Sequence, residues 1–294
     1  MPDESERLRL IDGFARARRI RIDDLIAALD PDPNDVIYAS GSITDGLGGP
    51  ESDLDIFWLT SERRFAGLAD RFDPERETQQ RLQGFGILYV RIGAIEFDVE
   101  VRPLATVTAL TASMTALDPA SAESLHRNFR YIGRWDRADA LDILHRLRIG
   151  APLHNPAGFA AVAGSFSHRH FCHWYAQLNL EFAREAQKGI RRSLDDGDPE
   201  NAFLKLCHLQ DLLIDAALFL AGDSLDRWKW RLAKARRTLA PDWYADYLAV
   251  RLCRAGDIPL TAFVAHWAEA GAARQAALEQ ALDALAAASF ARRA

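Results

Sequence analysis

The chain reads as an α+β protein: a small mixed β-sheet with flanking helices, then an all-helical bundle. Short runs rich in β-branched and aromatic residues stop by residue 103: DVIYAS (35–40), LDIFWLT (54–60), GILYVRI (86–92) and IEFDVEVRP (95–103). Beyond about 104 the apolar residues recur at helical spacing, over about 121–147, 165–188, 200–221, 225–239, 242–255 and 261–290. Strands first and then helices alone is the order of an α+β domain joined to a helical one. The expected boundary is near Asp118-Pro119, giving domains 1–118 and 119–294.

Each element has a local cause. Leu8, Ile11, Phe14, Leu25, Ile26 and Leu29 predict one amphipathic helix over 6–29, ended by Pro31 and Pro33. A polar, helix-like stretch covers about 62–83. The Gly93-Ala94 pair between the last two β runs predicts a hairpin. Asp198-Pro199-Glu200 is a helix start, with Asp as cap and Pro in the first turn. Gly189, Gly222 and Gly256 sit where helices should stop.

Composition narrows the class. With 294 residues, 49% hydrophobic, the chain can bury a sizeable core. No apolar run approaches the roughly 20 residues of a membrane helix, and MPDESERLRL has no signal-like apolar segment. Cys172, Cys207 and Cys253 lie far apart, which fits a reducing, cytoplasmic compartment. Residues 1–110 hold 13 Arg and no Lys against 21 Asp plus Glu, a net −8, and the remainder is near neutral at +2. Without a broad basic stripe the chain does not read as a nucleic-acid binder.

The chemistry concentrates in SGSITDGLGGPESDLDIFWLT, residues 40–60. Asp53 and Asp55 are two apart at a strand start, so their side chains share a face. Bare, they would repel; a hard divalent cation such as Mg²⁺ removes the conflict and is usually held by one or two carboxylates plus substrate phosphates. Gly41-Ser42, directly after a strand, lets backbone amides and a hydroxyl approach phosphate oxygens. A two-metal site wants a third carboxylate. In IEFDVEVRP the apolar Ile95, Phe97, Val99 and Val101 take one face and Glu96, Asp98 and Glu100 the other. Alternate strand residues stand about 7 Å apart, whereas paired metals sit about 4 Å apart, so one acid of the three is in register. Asp98 is the first choice, Glu100 the second and Glu96 the third.

Gly41-Ser42, nine residues, then Ser52-Asp53-Leu54-Asp55 and an acid on a later strand resembles the polymerase-β-type nucleotidyltransferase superfamily, and most of all the aminoglycoside and other antibiotic nucleotidyltransferases. The resemblance implies a nucleotidyltransferase domain before the helical one, two Mg²⁺ ions, and ATP or another NTP as donor. It implies transfer of a nucleoside monophosphate, AMP first, to a hydroxyl of a small-molecule acceptor such as an aminoglycoside, with release of pyrophosphate. Carried over, Gly41, Ser42 and Ser52 bind the nucleotide, Asp53 and Asp55 hold the metals, and Asp98 fills the third-acid position. The alternatives are nucleotidylation of a tRNA or protein in a toxin- or antitoxin-like system, or an inactive nucleotide-binding module.

Other groups are weighed beside these. Arg227, Arg231 and Lys234 fall on one helical face in DRWKWRLAKARRTL, read as a solvated basic face or as one from which Lys229 or Arg231 reaches the donor's phosphates. Trp228 and Trp230 read as packing residues. Of His168, His170 and His173, two are helical neighbours, too few for a structural zinc site; the helix is a candidate acceptor wall. Asp211 and Asp215, in an apolar helix, are either a buried ion pair or an acidic pocket for a cationic acceptor. Arg148 and His154 match a nuclease count, but Gly150 and Pro152 between them exclude a shared helix.

Overall fold

The structure, a computed structural model, describes residues 2–73, 84–253 and 258–290. The N-terminal stretch forms two helices, α1 (Glu4–Arg18) and α2 (Ile22–Leu29), where one was expected. Asp3 caps α1 by accepting from the Glu6 N–H. The break is a Schellman-type end: Arg19 is left-handed at φ 56, and the Ile20 and Arg19 amides donate to the Ala15 and Arg16 carbonyls. Ile20 thereby packs against the core. No Gly or Pro marks the spot, so the sequence reads as continuous.

The strands β1 (Val36–Ser40), β2 (Asp55–Thr60), β3 (Gly86–Ile92) and β4 (Ile95–Pro103) fall where the β-rich runs predict them. Gly93, at φ 61, closes the β3–β4 hairpin. Between β2 and β3 lie α3 (Glu62–Gly67) and a 3₁₀ turn at 69–71, within the stretch expected to be helix-like; residues 74–83 of that stretch lie outside the described residues. After β4 come α4 (Leu104–Thr115) and α5 (Ala122–Asn128), then a two-strand ribbon, β5 (Tyr131–Ile132) with β6 (Trp135–Asp136), turning at Gly133. Next are α6 (Arg137–Ile149), a strand β7 (Ala151–His154) and α7 (Pro156–Ala163). The helix expected over 121–147 is thus α5, a ribbon and α6.

The five-stranded sheet has the order β3-β4-β2-β1-β7. β2 and β4 run parallel, and the other neighbours antiparallel. β7 corrects the expectation that strands end at 104. It is four residues long, carries Pro152, and sits at the sheet edge, where a missing N–H is tolerated; nothing that short shows a period. The chain also divides differently from a single cut at 118: residues 1–116 with 130–167 form one compact unit, and 117–129 with 168–294 the other. Ile37, Ala39, Ile56, Trp58, Val99 and Val101 alternate onto one sheet face and form a core with Ile11, Phe14, Leu25 and Leu29 of the first two helices. On the other face Tyr38 stacks on Phe57 and meets Phe159 of α7 at a tilt, with ring centroids 5.2 and 5.1 Å apart.

The second unit is helical. Beyond α5 it contains α8 (His168–Asp195), α9 (Pro199–Leu220), α10 (Arg231–Thr238), α11 (Pro241–Arg251) and α12 (Leu260–Phe290). Asp198 caps α9 as expected, accepting from the Asn201 N–H at 3.0 Å. Gly189 does not end α8; it lets the Lys205 stem lie close, and Lys205 Nζ donates to the Gly189 carbonyl and to Ser193 Oγ. Gly222, at φ 79, follows α9, and Gly256 lies outside the described residues. Leu180, Ile190, Leu206, Leu209, Leu213 and Val264 bury together as its core. Among the described residues no helix is long and apolar enough to cross a membrane.

Candidate active site

Sheet topology brings the conspicuous sequence elements to one end of the first unit. β1 finishes at Ser40, which is opposite Asp55, the first residue of the antiparallel β2. β4 is parallel to β2, with Val99 opposite Ile56. One step back along both strands, Asp98 is level with Asp55. The turn after Gly41, the start of β2 and the start of β4 therefore share that end.

Gly41 is there for two physical reasons. Its φ is +107, a value L side chains rarely adopt, and a Cβ would lie 2.0 Å from Asp55 Oδ2. The Asp55 carboxylate thus rests against bare backbone. The next residues wind tightly: the Asp45 amide donates to the Gly41 carbonyl at 3.0 Å, and the Leu47 and Gly48 amides both donate to the Ser42 carbonyl at 2.8 Å. As in the first turn of a helix, this winding points the leading amides, from Ser42 on, back toward the end of β1. Ser52 Oγ accepts from the Gly49 N–H at 2.9 Å, and Arg18 donates to the Pro50 and Ser52 carbonyls at 2.8 and 3.0 Å. The turn is braced from both ends.

The acids are arranged unequally. Leu54 is buried while Asp53 is exposed and Asp55 half-buried; β2 begins at Asp55, so Asp53 lies just before the strand and not within it. Of the three acids on β4, Glu96 pairs with Arg91 at 2.9 Å and Glu100 with Arg102 at 2.6 Å. Asp98, exposed and level with Asp55, has the register expected of the third carboxylate. The expected trio does not close up, however. Among the described residues no three His, Cys, Asp or Glu side chains stand together as a metal-holding group, the α8 histidines included. Asp55 faces an arginine. What remains is an open, all-oxygen donor set beside an amide-rich turn. That suits a hard cation whose shell a substrate phosphate completes, not a closed protein cage.

The arginine is Arg146, on α6, which sequence reasoning passed over. It is 7% exposed. Its Nη1 is 3.7 Å from Asp55 Oδ2, its Nε donates to both Asp142 oxygens at 3.1 and 3.0 Å, and its guanidinium lies 4.9 Å over the Phe57 ring. Ser40 Oγ donates to its carbonyl at 2.9 Å. The neighbouring Tyr38 phenol is pushed far up by burial, and by the Glu100 charge after that, so it stays protonated. Burial raises Asp139, about two turns before Arg146 on α6, with Asp136 adding to the effect. The helix pattern LDILHRLRIG reads as ordinary amphipathic sequence; only the tertiary register shows that its Arg meets the strand.

In the second unit the expected basic face is not solvated. The helix begins at Arg231, so Arg227 lies outside it. Arg231 pairs with Asp211 at 2.8 Å and Asp215 at 2.6 Å, and Asp211 also takes Arg251 and the Tyr247 hydroxyl. Burial opposes the Arg231 charge, but these aspartates outweigh it and hold the guanidinium above its usual range. Asp211 and Asp215 are therefore a neutralised, buried network, as the ion-pair reading expects, and not an acidic pocket. Lys234 is fully buried, donating to the Ser224 carbonyl at 2.7 Å. Lys229 is exposed on a 3₁₀ turn with Nζ 5.1 Å from the Trp230 ring centroid. Trp230 packs against the local core as expected, whereas Trp228 is 79% exposed and does not.

No protein-family model matches the chain, and no curated protein matches it. Among solved structures, it is similar to a nucleotidyltransferase-like protein from Exiguobacterium sibiricum 255-15 at 14% identity and a TM-score of 0.45, over 92% of this chain and 75% of that one.

Proposed function

We propose that the chain is a Mg²⁺-dependent nucleotidyltransferase that moves AMP from ATP to a hydroxyl of a small-molecule acceptor, an aminoglycoside or related natural product, releasing pyrophosphate. The observation that carries this is the coincidence at one sheet end of a glycine that a Cβ would drive into Asp55, an amide-rich turn behind it, and Asp98 level with Asp55. Gly41 and the amides after it would cradle the triphosphate, with the Ser42 hydroxyl adding a donor. Asp53 and Asp55, with Asp98, would hold the cations, which neutralise the triphosphate and make the acceptor hydroxyl more acidic when bound. Asp98, exposed and level with Asp55, is the residue to take the acceptor's proton. The net −8 of residues 1–110 favours a cationic acceptor. Ser52 serves the turn as well as any ligand, and Lys229, exposed and basic, is proposed as a phosphate-binding residue.

The test is incubation of the full chain with labelled ATP, Mg²⁺ and a panel of amino-alcohol, tRNA and protein acceptors, following pyrophosphate release. Turnover on a small acceptor in wild type, lost by a factor of about 10² or more in Asp55→Asn, supports the proposal. Label on tRNA or protein would redirect it to macromolecular acceptors. No ATP uptake by either protein would end it.

A further inference from the structure

Arg146 is held more firmly than a surface counter-ion needs to be. Its carbonyl is tied to Ser40, the last residue of β1; its guanidinium is clamped by Asp142 and laid over Phe57. The Asp142 carboxylate already supplies an opposite charge at 3.0 Å. The approach to Asp55 is longer, 3.7 Å, outside hydrogen-bond reach, and the two side chains differ in exposure: 9% for Arg146 and 47% for Asp55. Asp55 therefore meets solvent on one side and a fixed positive charge on the other. A bracing pair would close that gap; this one leaves the carboxylate turned outward.

We propose that Arg146 is a positioning residue that makes cation binding at Asp55 depend on the nucleotide. This rests on the nucleotidyl-transfer reading above. A divalent cation arriving alone at Asp55 meets a guanidinium a few ångströms behind the carboxylate, in surroundings where such repulsion is only partly screened. A triphosphate brings several negative charges, enough to satisfy the guanidinium and the cation together. The residue thus disfavours the metal-only state and favours the state that carries donor and metal together. Coupling of this kind is reciprocal: whatever factor ATP gives to metal affinity, the metal gives to ATP affinity.

The experiment titrates Mn²⁺ alone, then Mn²⁺ with ATP, into the full chain, reading unbound Mn²⁺ by electron paramagnetic resonance. Wild type, Arg146→Met and Arg146→Lys are compared, each checked by circular dichroism and thermal melting. Arg146→Met should bind Mn²⁺ alone about tenfold more tightly than wild type, and the enhancement by ATP should shrink by a similar factor. Arg146→Lys, which keeps the charge, should stay near wild type. If Arg146→Met does not fold, Arg146→Gln, which removes the charge and keeps a polar group beside Asp142, takes its place with the same expectation. A folded variant whose affinity for Mn²⁺ alone is unchanged or weaker overturns the proposal, as does a lysine variant that behaves like the methionine one, or Mn²⁺ uptake by none of them. Tenfold tighter Mn²⁺ binding without any ATP uptake in wild type would sink the transfer reading and leave the electrostatic role of Arg146 standing.

Discussion

In α9, Asp211 and Asp215 take Arg231 at 2.8 and 2.6 Å, with Arg251 and Tyr247 completing the set. At the sheet end, Asp55 stands 3.7 Å from Arg146, with Asp53 two residues earlier in the chain. The ingredients are the same: two aspartates at short spacing and one arginine. The difference is where the charge is resolved. The helical network is closed, because both Asp215 oxygens and Asp211 Oδ1 take donors from the protein. The sheet-end pair is open, because Asp55 is half exposed, rests on bare backbone and faces its arginine beyond hydrogen-bond distance. Closed ion networks hold structure; open ones beside amide-rich turns are where ligands can compete. Aspartate spacing alone does not separate the two. Burial and partner distance do.

The comparison breaks first at Arg231. Replacing it with Met removes both hydrogen bonds to Asp215 and one to Asp211. Burial already pushes Asp215 up, and the Arg231 hydrogen bond opposes that rise. The expected loss is about 3–5 kcal/mol of stability, the cost of leaving one partner of a buried pair. Urea unfolding measures it. If Arg231→Met costs no more than an exposed substitution, the network is not the brace the distances indicate, and the contrast with the sheet end fails.

At Gly41 the effect on structure is smaller and the effect on binding larger. Gly41→Ala places a Cβ against Asp55 Oδ2 in a backbone conformation that alanine avoids. We expect about 1–3 kcal/mol of destabilisation and at least a tenfold loss of ATP uptake in the presence of Mn²⁺, measured by calorimetry. Gly189→Ala is the control. There the new methyl meets the Lys205 stem at 3.2 Å, the flexible part of a side chain that can yield. ATP uptake that survives Gly41→Ala would mean that the turn does not serve a ligand.

What the sequence showed of this arrangement follows from range. Asp55 at a strand start, the apolar and acidic faces of β4, and the Asp198 cap depend on neighbours within a few residues, so period and cap chemistry expose them. The register that sets Asp98 level with Asp55 comes from a parallel pairing of strands some forty residues apart, which no local pattern shows. Arg146 was invisible for the same reason. Its partners are Asp142, one turn away, and Asp55 and Phe57, nearly a hundred residues earlier. The return of residues 130–167 to the first unit was hidden because β7 is short and carries Pro152, while α6 and α7 have the composition of the helices that follow. The α1–α2 break was hidden because Arg19 adopts a conformation that sequence assigns to glycine.

The smallest expected effect divides the site itself. Ser52 stands in the Ser-Asp-Leu-Asp motif, yet its hydroxyl accepts the Gly49 N–H at 2.9 Å while the Arg18 guanidinium holds its carbonyl. If its work is to hold the turn, Ser52→Ala loses one partly exposed hydrogen bond, about 0.5–1.5 kcal/mol, and leaves ATP uptake within about twofold of wild type once the protein is folded. If the hydroxyl also touches the nucleotide, uptake falls further than stability explains. Ser42→Ala supplies the reference, since Ser42 leads the wound segment and its carbonyl, not its side chain, carries the turn's two 2.8 Å bonds. Stability should hold in that variant while ATP uptake drops. The opposite ranking, Ser52 sensitive in binding and Ser42 silent, would move the phosphate cradle from the start of the turn to its end, next to Asp53, and make the turn after Gly41 a brace of the same kind as Arg231.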